Sequence, residues 1–294
     1  MTGVQTCALP ISEAPIGGMF PRYWRAYDAN YGAGDRVDQV LRWLDLPVSE
    51  RPTFITLYFS DTDAAGHDDG PDSQAMRDAV VRVDGYLGRL LQGLERRALA
   101  DRVNVVVLSD HGMAPVSSDR VVVVDDYVSL DDVEIIDIDP TLGIFPRPGK
   151  DAEVFRALVN AHPRLRVFRR EMTPEAWHYR DHPRIPPIVG VADEGWQVLR
   201  RSTMAGIRAG RIRAAGGQHG YDPAAMSMRG LFVAAGPAFR RGVTVPAFEN
   251  VHVYNALAHL QGVAPAPNDG DPDVVKAWFS DAHVDDAAPA RGAP

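Results

Sequence analysis

Apolar residues recur along the chain with two periods, and each period predicts elements. Val37, Val40, Leu41 and Leu44 fall at helical spacing within residues 35–44, and Pro47 and Pro52 bound the turn that follows. Residues 53–59 (TFITLYF) form an unbroken run of β-branched, leucine and aromatic side chains, which reads as a buried strand of parallel-sheet character. A polar loop rich in Asp and Gly is expected after it. Met76, Val80, Val83, Leu87, Leu90, Leu91 and Leu94 then mark one face of a long helix over residues 73–99. Residues 103–108 (VNVVVL) read as the next buried strand. Strand, long helix and strand together predict one crossover unit of a parallel sheet.

Between residues 119 and 211 the pattern changes. Short strands are expected at 120–124, 134–138 and 196–199, with one short helix near 152–160 and clustered prolines at Pro183, Pro186 and Pro187. This reads as a smaller inserted α+β lobe. The main sheet is expected to resume at 231–235, ahead of Gly236 and Pro237, and a helix should cover 249–260 with Val253, Leu257 and Leu260 on one side. The organisation predicted is therefore a core over 13–118, a lobe over 119–211, a second core segment over 212–284 and a loose tail over 285–294. Residues 1–12 are expected to be a non-native leader, because residues 1–11 (MTGVQTCALPI) resemble translated adapter sequence and lack the features of a signal peptide.

Composition narrows the function class. The 294 residues carry 31 Lys+Arg against 39 Asp+Glu, a net charge of −8, which argues against a protein built to grip nucleic-acid backbone. The basic clusters at 164–170 and 208–213 are interrupted and read as solvated faces. No run of apolar residues is long enough to encode a membrane span. A single cysteine, Cys7, excludes an internal disulfide framework and a cysteine-rich zinc module.

Three segments gather histidine and aspartate beside apolar strands. They are residues 61–71 (DTDAAGHDDGP), 109–113 (SDHGM) and 216–222 (GGQHGYD). The first two follow expected strands at their carboxyl ends, where open α/β sheets place ligand crevices. Imidazole with carboxylate suits Zn²⁺ or a similar first-row ion, whereas Mg²⁺ prefers oxygen. Glycines beside His67, His111 and His219 would let the backbone turn and bring the rings inward. One such histidine is more often a surface residue; three together point to a mixed His/Asp metal site in an α/β hydrolase.

The stretches LYFSDTDAAGHDDGP, VLSDHGM and GQHGYDPAAMSMRGLFVAAGPAF resemble the metal-binding segments of nucleotide pyrophosphatases/phosphodiesterases, a family of the alkaline phosphatase superfamily. The resemblance runs from about Pro15 to Gly270. The family's first metal loop has aspartate, two residues, glycine and histidine, commonly after glutamate and proline; here Asp61 and Thr62 replace that preceding pair. The resemblance implies an α/β, alkaline-phosphatase-like core with a mostly parallel sheet flanked by helices. It further implies two zinc ions about 4 Å apart. Asp63, His67 and His219 match the ligands of one ion, and Asp110 and His111 match two ligands of the other. Tyr58 resembles the aromatic position that stacks on a nucleoside base, and Tyr221 and Asp222 are expected to fix the loop behind the ligands. The implied substrate is a small nucleotide or phosphodiester, and the resemblance implies a periplasmic or secreted setting when intact; the protein is expected to be bacterial.

The family's mechanism also calls for an early aspartate on the second zinc and a threonine at a helix start that attacks phosphorus. None of Thr2, Thr6, Thr53, Thr56, Thr62, Thr141, Thr173, Thr203 or Thr244 has the expected strand-to-helix setting. The chain is therefore expected to lack its N-terminal part, including the nucleophile, a central strand and one metal aspartate, and to be nearly inactive. A phosphomonoesterase or phosphonate hydrolase of the same superfamily, or a non-catalytic metal-binding fragment, are the alternative functions.

Overall fold

The apolar stripe Val37, Val40, Leu41 and Leu44 becomes the buried face of the helix Ala33–Leu44, with Asp35 in its first turn and Arg42 in its last to complement the helix dipole. The computed structural model describes residues 6–8, 18–26, 28 and 30–281. The chain divides into two compact units, one of Met1–Ser60, Val81–Leu108 and Phe232–Pro294, the other of Asp61–Val80 and Ser109–Leu231. Of the expected leader only Thr6–Ala8 lies within the described residues, and the expected tail over 285–294 lies outside them.

In the first unit the strand Phe54–Thr56 pairs in parallel with Thr6–Ala8, which pairs in parallel with Tyr23–Trp24. Val40, Trp43 and Leu44 of the first helix pack with Leu94 and Leu99, and Ile55 and Val103 lie against them. Arg36 is buried in this unit, and its guanidinium donates to the carbonyls of Tyr31 and Tyr58. The strand Val105–Leu108 pairs antiparallel with Phe232–Ala235. A second apolar cluster unites the helices Val253–Leu260 and Pro272–Lys276 through Val253, Ala256, Val275 and Phe279.

The second unit is built on a four-stranded antiparallel sheet, in the order Val133–Ile138, Thr141–Pro146, Ile188–Ala192, Leu165–Arg169. Leu142, Ile144, Leu158 and Ile188 are fully buried at its centre. Beside it Val121–Val123 pairs in parallel with Gln197–Leu199, and Ala114–Pro115 pairs antiparallel with Gly217–Gln218. The helices of this unit are Asp61–Asp69, Asp151–Leu158 and Arg201–Arg208, and the boundary at Val80 falls within the long helix Gln74–Arg96.

The expectation of a mostly parallel sheet is overturned. The fold is α/β, but five of its eight strand pairings among the described residues are antiparallel. The crossover unit predicted across 53–108 does not form as one sheet: Phe54–Thr56 finds its partner at Thr6–Ala8, and Val105–Leu108 finds its own at Phe232–Ala235. Antiparallel neighbours need only a tight connection. Asp139 and Pro140 supply one between Val133–Ile138 and Thr141–Pro146, with Asp139 at φ +73° and its N–H donating to the Thr141 carbonyl at 2.8 Å.

Three of the four sheet strands carried a weak sequence signal. Leu165–Arg169 alternates apolar and arginine residues and read as a basic face, and Ile188–Ala192 begins directly after two prolines. The test of this core is Ile188→Ala, which removes a fully buried side chain from a central strand. It should destabilise the protein by about 2–5 kcal/mol in urea unfolding. Ile136→Ala, on the same sheet but 53% exposed, should stay within about 0.5 kcal/mol of the parent.

Candidate metal centre

The segment expected to be a polar loop after residue 59 is instead the helix Asp61–Asp69 (DTDAAGHDD). Ala64 and Ala65 favour helix, and Asp61 and Asp63 lie in the first turn, where their charges complement the helix dipole. Its small apolar face left no helical period to detect. Gly70 ends it at φ +90°, with the Gly70 N–H donating to the Gly66 carbonyl at 3.0 Å. As a helix, the segment places Asp63 and His67 four residues apart and hence on one face.

The third histidine arrives on an adjoining segment. The Gly216 N–H donates to the His67 carbonyl at 2.7 Å, and the ring nitrogen Nδ1 of His67 lies 3.1 Å from the Gly217 carbonyl. This approach is close enough to require glycine. A Cβ on Gly217 would sit 2.6 Å from the Gly66 carbonyl oxygen, and one on Gly216 would sit 2.4 Å from the Gly70 nitrogen. Arg213 ties the same segment to the helix end through Asp68 and Asp69, at 3.5 and 2.7 Å.

Asp63 Oδ1 then faces Nε2 of His67 at 3.4 Å and Nε2 of His219 at 3.8 Å. One ligand atom from each of Asp63, His67 and His219 lies within 4.8 Å of the others. Three tetrahedral zinc ligands at about 2.0 Å from the metal would stand roughly 3.3 Å apart, close to these separations. Asp63 Oδ1 is buried and has no hydrogen-bond partner, a cost that a cation would relieve. Because a carbonyl can only accept, His67 must donate from Nδ1, which leaves Nε2 with its lone pair toward the cluster. Burial first, and then the neighbouring His111 and His67 rings, hold His219 below the ordinary imidazole range, while Asp63 and Asp110 oppose the shift. His219 is accordingly neutral near pH 7 and able to bind a cation. The donor set fits zinc.

Asp110 and His111 lie on the segment after Val105–Leu108. His111 donates from Nδ1 to the Gly112 carbonyl at 2.8 Å, and its ring stacks on His219 with centroids 3.5 Å apart and planes 11° from parallel. Asp110 Oδ1 is 3.5 Å from His111 Nε2, but its side chain is 72% exposed. Among the described residues Asp63, His67 and His219 form the one group of three positioned to hold an ion, so the pair Asp110 and His111 stands beside it without a third ligand.

Tyr58 belongs to the first unit, where its carbonyl accepts from Arg36. Tyr221 is buried, its hydroxyl donates to the Trp196 carbonyl at 2.9 Å, and burial pushes its ionisation well above the ordinary phenol range. Asp222 accepts from Arg166 at 2.9 Å and from the Ala224 N–H at 3.0 Å. Partial burial works against its charge, but these donors, with Trp177, hold its carboxyl below the usual range. One polar residue behind the centre had no sequence signal: Asp139, whose carboxylate receives Gln218 beside the ligand His219.

A family model described as type I phosphodiesterase / nucleotide pyrophosphatase matches residues 2–222. The human ectonucleotide pyrophosphatase/phosphodiesterase family member 5 is 36% identical over 262 residues, covering 89% of this chain and 53% of that protein. The bis(5′-adenosyl)-triphosphatase of Xenopus laevis is 33% identical over 266 residues, covering 90% of this chain and 56% of that protein. The chain thus spans about half the length of these curated relatives. Among solved structures, murine ectonucleotide pyrophosphatase/phosphodiesterase 5 superposes with a TM-score of 0.86 at 36% identity, over 95% of this chain and 72% of that one. It was solved as an inactive threonine-to-alanine variant in complex with AMP. These relatives are vertebrate proteins, which overturns the bacterial setting expected from the sequence.

Purified without chelator and dialysed against dilute zinc, the chain should retain one tightly held ion by elemental analysis. Asp63→Ala and His219→Ala should each release it, and retention of zinc by both would remove the triad as its site. Gly217→Ala should lower the melting temperature and weaken the same ion, because its new methyl group meets backbone.

Proposed function

Because the chain belongs to the type I phosphodiesterase / nucleotide pyrophosphatase family of hydrolases, we propose that it hydrolyses phosphodiester or pyrophosphate bonds in nucleotides or similar diesters. The observation that carries this reading is the orphaned Asp63 Oδ1 between two imidazole Nε2 atoms. Support for a nucleotide-like substrate comes from the relatives, one named for a dinucleoside triphosphate and one solved with AMP.

In this proposal Asp63, His67 and His219 hold one zinc ion, and Asp110 and His111 contribute two ligands to a second. Zinc there supplies Lewis-acid stabilisation of charge on phosphoryl and attacking oxygens. The chain's own residues do the positioning. The Gly217 carbonyl keeps the His67 tautomer fixed, the Gly112 carbonyl does the same for His111, and the stack of His111 on His219 holds the two ligand groups side by side. Tyr58 is proposed to stack on the nucleoside base, and the prefix "ecto" in the relatives' names supports a setting outside the cytoplasm.

Hydrolysis by double displacement also needs a nucleophile. Thr173 is committed to the carbonyls of Arg170 and Tyr179, Thr141 to the Asp137 carboxylate, and Thr62 lies within the ligand helix itself. We propose that none of these three serves as the nucleophile and that this chain turns over slowly. With zinc present it should cleave bis(p-nitrophenyl) phosphate in preference to p-nitrophenyl phosphate, at least ~10³-fold more slowly than a relative carrying the attacking threonine. Chelation should abolish the activity, and zinc should restore it. A preference for the monoester would replace this reading with the phosphomonoesterase or phosphonate hydrolase. A zinc-loaded chain inert toward both esters would leave a non-catalytic metal-binding fragment.

A further inference from the structure

Asp139 stands in the turn between two strands of the antiparallel sheet, far from the ligands in sequence, yet its carboxylate ties three separate pieces of the unit together. Oδ1 accepts the Val198 backbone N–H at 3.2 Å, and Oδ2 accepts the side-chain amides of Gln197 at 3.0 Å and Gln218 at 2.9 Å. All three partners are donors, so the site is shaped for a carboxylate acceptor rather than for an amide or a hydroxyl. Gln197, on the strand that pairs with Val121–Val123, is 3% exposed. The left-handed φ of +73° at Asp139, unusual for a residue with a side chain, is the backbone conformation from which this carboxylate reaches its partners.

The third contact is the informative one. Gln218 precedes His219, and the two residues on either side of it already face the metal ligands: the Gly217 carbonyl meets His67 Nδ1, and His219 Nε2 faces Asp63. Along an extended segment successive side chains point to opposite faces. A Gln218 side chain held at the back therefore fixes the rotation of the segment, and with it the direction in which His219 leaves at the front. From this arrangement we propose that Asp139 is a positioning residue of the zinc centre, acting through the Gln218 amide to aim His219 at the ion shared with Asp63 and His67. Asp139 is not itself a member of the ligand triad. Burial raises its carboxyl above the ordinary range, while its donors Gln197, Val198 and Gln218, and the nearby His67, oppose that shift.

This inference rests on the zinc reading above, and the test separates the two. Zinc affinity is measured by competition with a chromophoric chelator for the parent chain, Asp139→Ala, Gln218→Leu, the double variant and Ile188→Ala, with melting of each zinc-free protein recorded in parallel. Asp139→Ala and Gln218→Leu should each weaken zinc binding by about 10–100-fold, the range typical of residues that orient metal ligands. The double variant should bind no more weakly than Asp139→Ala alone, because both substitutions break one route. Ile188→Ala, which loosens the core of the same unit, should lower the melting point without changing zinc affinity beyond about threefold. A merely structural role for Asp139 would make it behave like Ile188→Ala, and that result overturns the inference. So would fully multiplying losses in the double variant. Should Asp139→Ala fail to fold, Gln218→Leu alone decides, since it keeps a similar side-chain volume while removing the amide that meets Asp139. If the parent itself binds no zinc, the metal reading falls and this inference falls with it; if the parent binds zinc and both variants match it within twofold, only the inference fails.

Discussion

The candidate centre depends on one close approach, that of the backbone at Gly216 and Gly217 to the helix Asp61–Asp69. Two hydrogen bonds hold it, from Gly216 N–H to the His67 carbonyl and from the His67 ring to the Gly217 carbonyl. The ligand His67 is thus gripped through both its backbone and its side chain by the segment that carries the next ligand. Neither bond can form unless the two backbones nearly touch, and the absence of a Cβ at each glycine permits that. Everything chemical follows from this register. A one-residue slip would turn His219 to the back and bring Gln218 to the front, replacing an imidazole by an amide that binds transition metals poorly.

The electrostatics of the cluster explain why it is worth building. Three imidazoles and two carboxylates are gathered into a partly buried space, and one carboxylate oxygen, Asp63 Oδ1, is left without a hydrogen bond. A buried, unpaired oxygen costs on the order of 1–3 kcal/mol. Protonating the histidines to pair it would place like charges beside one another, and His219 resists protonation for that reason among others. A divalent cation satisfies the carboxylate and the imidazole lone pairs together. A cation bound there would relieve the cost of the unpaired Asp63 oxygen, so its binding would also stabilise the local fold.

The sequence made the chemistry of this site legible but not its scaffold. Asp63, His67 and His219 could be picked out because metal-ligating residue types flanked by glycine are rare enough in combination to stand out. The helix that carries the first two could not, since DTDAAGHDD has almost no apolar face and its aspartates and glycines look like turn chemistry. The direction of the strands was unreadable for a different reason. Val105–Leu108 and Phe232–Ala235 are apolar runs whose partners lie more than a hundred residues apart, and an apolar run reports burial, not orientation. Asp139 left no trace because a carboxylate that serves three donors looks, in sequence, like any Asp-Pro turn.

The two ligand groups differ in how far the chain alone prepares them. Asp63 and His67 are fixed by a helix, His219 by a glycine-dependent backbone contact, and the His67 tautomer by a carbonyl. Asp110 and His111 are neighbours on one irregular segment, and the carboxylate of the pair is largely exposed. Preorganised ligands lose less entropy on binding, so an ion entering this unit settles first on the triad. His111 lies flat against His219, and an ion that immobilises the His219 ring therefore also immobilises the surface against which His111 rests. If Asp110 and His111 hold a second ion as proposed, the triad beside them would already be ordered by the first. The stacked rings of His111 and His219 are the direct physical contact between the triad and the Asp110–His111 pair.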